Sequence, residues 1–186
     1  MHLTINIAFF GTILILLYIV IDLIRNKGRN LLRKFIFYTF MFYFVYVLQL
    51  TMGGITIPPL EARMIKVQWI PFFFVNDWVM HYQANGLDFF FWNSVKLTFY
   101  NLIMIVPFGV YLALLFQVKQ ISKAALMIVI LSLAIEVFQL ILSYFGVIWA
   151  RGFDVDDILL NTFGGVIGFM CMRVAMRFRR RIQHKY

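Results

Sequence analysis

Five apolar runs recur along the chain, at residues 5–21, 35–50, 97–116, 124–142 and 158–175. Each approaches the ~20 residues a helix needs to cross the hydrocarbon core of a bilayer. A length of 186 residues would suit one soluble domain, but a hydrophobic content of 63% forbids that reading. The expected fold class is all-α: a polytopic membrane helix bundle of about five transmembrane helices, forming a single membrane domain over residues 1–186. The first run does not read as a signal peptide, because no Lys or Arg precedes it and no Ala-x-Ala site follows it. The lone Cys171 lies inside the fifth run, so there is no disulfide framework, and a small packing residue is the simplest reading.

The bases are distributed unevenly about these runs. Arg25, Lys27, Arg29, Arg33 and Lys34 separate the first two, Lys119 and Lys123 separate the third and fourth, and Arg173 with a basic tail over residues 177–186 closes the chain. Thirteen of the 17 Lys and Arg fall on this one side, against four on the other. The positive-inside rule makes the basic side cytoplasmic, which gives an N-out, C-in topology. The excess of base then serves topology and contact with anionic inner-leaflet lipids, and no nucleic acid partner is expected.

On the expected outer side, residues 51–96 form a long aromatic-rich loop. It holds Trp69-Ile-Pro-Phe-Phe-Phe74 and Phe89-Phe-Phe-Trp92, neither cluster long enough to span. Such density suits an interfacial or re-entrant segment, either a plain anchor or a lip over a lipid-accessible pocket.

Polar residues interrupt the apolar runs in stripes. Ser132, Glu136, Gln139 and Ser143 fall within about 60° of arc at 100° per residue, and Ser94, Thr98 and Asn101 share another face. An acid inside an apolar helix needs pairing or protonation, so Glu136 is a functional candidate. The stretch from Arg151 to Gly168 carries the third stripe. Asp154, Asp156 and Asp157 stand where a helix N-terminus favours acids, and Asp157, Asn161, Gly164, Gly165 and Gly168 lie within about 100° of one another. Capping with a small-residue packing seam would account for this stretch as structure. A shared pocket would account for all three stripes together. Arg151 is the nearest base to these acids, as counter-ion to Glu136 or as a clamp closing the loop. The oxygen donors would suit Mg²⁺ or Ca²⁺ only weakly, and otherwise no cofactor is expected. Signatures of serine hydrolases, zinc proteases and P-loops are absent.

Four segments resemble the VanZ-like family of small bacterial membrane proteins. They are Trp69-Ile-Pro-Phe72, Asn101-Leu-Ile-Met-Ile-Val-Pro-Phe-Gly109, Glu136-Val-Phe-Gln139 and the stretch from Arg151 to Gly168. Together they cover a core of roughly residues 68–170. Trp69 stands where the family usually has Asn, and Ile105 where Phe is common. The resemblance implies an association with low-level resistance to lipid-tailed glycopeptides of the teicoplanin type, and carries over no reaction. Its motif positions fall on Asn101, Glu136, Gln139, Arg151, Asp154, Asp157 and Asn161, the expected ligand-binding set. The expected function is a lowered susceptibility to such glycopeptides, through an outer-leaflet polar pocket that binds a membrane lipid or the lipoglycopeptide itself. The alternative is an intramembrane enzyme acting on a lipid-linked phosphate or sugar, with Glu136 or Asp157 as acid and base.

Overall fold

A computed structural model describes residues 2–26, 30–61 and 66–183. Lys27, Arg29 and Lys185, counted above among the inner-side bases, lie outside the described residues. The structure is all-α, with 76% of it helical. Among the described residues, five helices are long and apolar enough to cross a membrane, Ile7–Arg25, Leu31–Met52, Phe89–Leu114, Ile121–Tyr144 and Val155–Gln183, which bears out the expected number of spans.

The chain divides into two compact units, the first made of Met1–Lys66 and Val137–Phe153 and the second of Val67–Glu136 and Asp154–Tyr186. In the first unit, helix α1 (Ile7–Asn26) packs along helix α2 (Leu31–Met52). Gly11 permits the close approach, since a Cβ there would lie 2.5 Å from Cγ1 of Val45. Near one end of the pair, Lys34 Nζ donates to the Asp22 carboxylate at 2.6 Å, and the Tyr38 hydroxyl donates to the same oxygen. At the other end, the Ala8 N–H donates to Gln49 Oε1 at 3.2 Å. Helix α2 stops at Gly53, whose left-handed φ of 71° lets its N–H return to the Gln49 carbonyl. Strand β1 (Leu3–Ile5) then pairs antiparallel with β2 (Ile55–Ile57), Leu3 opposite Ile57.

The second unit holds helices α3 (Phe73–Asn85), α4 (Phe89–Met104) and α5 (Val106–Leu114), most of α6 (Ile121–Tyr144), and α7 (Val155–Gln183). The segment read from sequence as an outer loop is thus helical in part, carrying all of α3 and the first two turns of α4. Asp88 caps α4 by accepting the Phe91 N–H at 2.8 Å, so the third span begins at the second aromatic cluster and not at residue 97. Asn93, Ser94 and Lys96 lower the hydropathy of the second turn and conceal the start of the helix from an apolar-run reading. At ~1.5 Å per residue, the 13 residues of α3 reach ~20 Å, too short to span. A break at Ile105 separates α4 from α5, two residues before Pro107, which has no N–H to continue the ladder.

Helix α7 packs most extensively on α5 and then on α4. A Cβ on Gly164 would lie 1.7 Å from the Leu102 carbonyl oxygen, and one on Gly168 would lie 2.2 Å from that of Val106. A Cβ on Gly109 would in turn meet the Gly165 carbonyl oxygen at 1.9 Å. The backbones therefore touch where three glycines remove the side chains, and the buried Ile105 and Phe169 lie beside the contact.

Candidate functional site

The second unit gathers most of the expected polar residues around the start of α7. Three carboxylates lie within four residues there, and each has a partner. Asp154 accepts the Asp156 N–H at 2.8 Å and so serves as a cap for α7. The Asp154 N–H in turn donates to Glu136 Oε2 at 3.0 Å. Asp157 accepts from the Asn101 side-chain amide. One helical turn on, Asn161 Nδ2 donates to Ser132 Oγ at 3.0 Å. Glu136, Asn161 and Ser132 are all buried, at 2% exposure or less.

Asp156 does something different. Its two oxygens accept the N–H groups of Phe72 at 2.5 Å and Phe74 at 2.9 Å. Phe72 occupies the cap position of α3 with a φ of 64°, and it has no side-chain oxygen to satisfy the first amides of the helix. A carboxylate 84 residues away in sequence supplies that cap. An ionised acceptor at a helix N-terminus also meets the positive end of the helix dipole. The same carboxylate therefore ties the aromatic segment to the start of α7.

Burial pushes the Asp154 carboxyl above its ordinary value, and the nearby carboxylates of Asp156 and Asp77 push in the same direction, against the lowering by the Asp156 N–H. Asp77 itself lies on α3, where it accepts from the Ser94 hydroxyl of α4 and lies 3.5 Å from Nε2 of His81. Asn161 Oδ1 is buried without a hydrogen-bond partner among the described residues.

The other two expected residues belong to the first unit. Gln139 Nε2 donates to the Thr51 carbonyl at 2.6 Å, and the Thr51 hydroxyl donates to the Val47 carbonyl at 2.9 Å. Arg151 enters through its backbone, its N–H donating to Ser143 Oγ at 2.9 Å, while its side chain is exposed. The polar stripe of α6 thus divides. Ser132 and Glu136 serve the second unit, and Gln139 and Ser143 serve the first. Among the described residues, no three His, Cys, Asp or Glu side chains are placed to share a metal ion.

Asp156 was missing from the sequence-derived set. Its presence among three acids was visible, but its burial was not, because Phe72 gives no sign in sequence that its helix lacks a cap. Ser132 was visible on its stripe, and only the fold pairs it with Asn161.

The family model described as VanZ/LLP1 matches residues 35–176. The chain belongs to the VanZ/LLP1 family. No curated protein and no solved structure matches it. The VanZ/LLP1 match runs from α2 to α7 and takes in Asn101, Glu136, Gln139, Arg151, Asp154, Asp157 and Asn161, together with Asp156. With five helices apolar enough to span, this VanZ-like chain is a multi-pass membrane protein.

Proposed function

We propose that this VanZ-like protein lowers the susceptibility of a bacterial cell to lipid-tailed glycopeptides of the teicoplanin type, by holding a lipid-like group in the outer leaflet. The observation that carries this reading is the union, within one unit, of a fixed polar network with an exposed aromatic rim. Asp156 anchors the backbone at Phe72 and Phe74, next to Trp69 and Ile70, which are 67% and 64% exposed. Phe89, Phe90 and Trp92, at the start of α4, are also more than half exposed. Trp69 and Trp92 are of the type that settles at the boundary between headgroups and acyl chains, and the Ile and Phe side chains beside them suit the acyl side of it. Behind the rim, Asn101, Asp154 and Asp157, which are partly open, offer hydrogen bonds to a head group, the buried Glu136 and Asn161 brace them through the Asp154 N–H and Ser132, and the acyl tail stays in the bilayer.

A catalytic reading of the same residues assigns Glu136 or Asp157 to proton transfer. What favours binding is the use made of these carboxylates. Glu136 accepts a backbone N–H, and Asp157 accepts an amide, which orient the chain and require no proton to move. A strain lacking the gene, complemented with wild-type or variant protein, separates the readings. Wild type is expected to restore tolerance to teicoplanin and leave vancomycin, which has no lipid tail, unaffected. Glu136→Ala and Asp157→Ala are expected to fail, and Glu136→Gln to retain part of the tolerance through its amide. Complete loss with Glu136→Gln would favour the enzyme. Equal shifts for the two drugs, or full restoration by both alanine variants, would overturn the proposal.

A further inference from the structure

We infer that α3 is a gate, hinged at Gly86 and latched by Asp156, that swings outward to open the polar network beside Asp154 to a lipid head group. Its two ends are built differently. At the C-terminal end, Gly86 adopts φ 69° and ψ −145°, a conformation open to glycine and avoided by other residues. A Cβ there would meet nothing within 4 Å, so the backbone angles and not the packing require glycine. Two residues on, Asp88 caps α4 and fixes where the hinge ends. Positions of this kind, at the end of an element, absorb the backbone rotation of a hinged segment.

At the N-terminal end the closed position is held under load. Phe72 sits at φ 64°, and a left-handed backbone at a residue other than glycine is disfavoured by roughly tenfold. The indole N–H of Trp78 is buried without a hydrogen-bond partner among the described residues, which also disfavours the closed position. Against these stand the bonds from the Phe72 and Phe74 amides to Asp156 and the bond from the Ser94 hydroxyl to Asp77. Packing adds little, since no residue of α3 is buried and among the helices it packs chiefly on α4. A segment with little buried surface and a strained backbone belongs to the part of a fold that opens first.

Asp77 of α3 lies near enough to Asp154 for their carboxylates to repel, so the closed helix borders the network at a residue that is partly open. Val75, Val79 and Met80 are exposed and follow the helical repeat. They meet acyl chains whether the helix is closed or swung out, so opening exposes little new apolar surface to water. What passes the gate rests on the function proposed above. Its motion is measured without a glycopeptide, so the two readings fail separately.

The test uses the full-length protein in lipid nanodiscs, on a Cys171→Ala background. One spin label is attached through Phe163→Cys on α7 and a second through Val75→Cys or Gln83→Cys on α3, and pulsed dipolar spectroscopy reads the distance between them. Position 75 lies 11 residues from Gly86 and position 83 lies three, so a swing moves the first about four times as far as the second. Wild type is expected to give one main distance for each pair. Asp156→Ala should add a longer component at position 75 and change position 83 little. Gly86→Ala, which removes no contact, should add the same component. Phe72→Gly, added to Asp156→Ala, relieves the left-handed strain and should lower the ratio of open to closed by roughly tenfold. Thermal unfolding confirms that each variant is folded, and Gly86→Ala with Asp156→Asn carries the test should Asp156→Ala fail to fold. Equal shifts at positions 75 and 83 would mean that α3 moves as a whole and would overturn the inference. So would an unchanged distance at position 75 in either the Asp156 or the Gly86 variant, or an open component that Phe72→Gly leaves as large.

Discussion

At Asp156 a single carboxylate accepts two backbone N–H groups at the start of α3, where the cap residue Phe72 has no side-chain acceptor of its own. Removing it strands both donors at the start of α3, and bonds to a charged acceptor are worth about 1.5–3 kcal/mol each. Asp156→Ala should therefore destabilise the protein by about 3 kcal/mol, read from chemical unfolding in detergent. Asp156→Asn, which keeps one acceptor oxygen, should recover roughly half of that loss. Hydrogen exchange gives a local check, since the amides of Phe72 and Phe74 should lose protection while those in the middle of α7 keep theirs. Unchanged protection at both amides would show that Asp156 does not cap α3. The acids of this stretch read alike in sequence. They part only by burial, where Asp156 is 2% exposed and Asp154 and Asp157 are partly open.

Among the elements, α7 depends most on its small residues. A glycine inside a helix is unfavourable by about 1 kcal/mol relative to alanine, so propensity alone predicts that Gly164→Ala stabilises. The close approach of α4 predicts the opposite, because the new Cβ would lie 1.7 Å from the Leu102 carbonyl oxygen and backbone cannot swing aside as a side chain can. Gly164→Ala should lower the unfolding temperature in detergent, and a rise would show that α4 and α7 do not meet there. The glycine face was legible in the sequence at its 100° steps, and so was Asp157 with Asn161 on the same face. The identity of the helix opposite was not, since Leu102 and Val106 give no sign of the carbonyls they would present. The start of α4 was misplaced for a related reason. Asp88 caps the helix ahead of the polar residues that masked its first two turns.

Across the whole molecule, the skew of the bases still argues for an N-out, C-in topology. On a Cys171→Ala background, an impermeant thiol reagent should label Gln83→Cys in intact cells and leave Gln120→Cys unlabelled. The reverse pattern would invert the topology and move the proposed glycopeptide-related site to the inner leaflet. Five spans and the family were already readable in the one-dimensional chain. Bilayer thickness sets the length of an apolar run, and motif spacing follows the helical repeat, so both are local properties of sequence. The partners of the polar residues were not readable. Glu136 meets the Asp154 N–H, Asn161 meets Ser132, Gln139 meets the Thr51 carbonyl, and Asp156 meets the amides of Phe72 and Phe74. Three of those four contacts end on a backbone group, which every residue carries alike. A pattern of side chains shows which residues need a partner, and only the packing of the helices decides which backbone comes within reach.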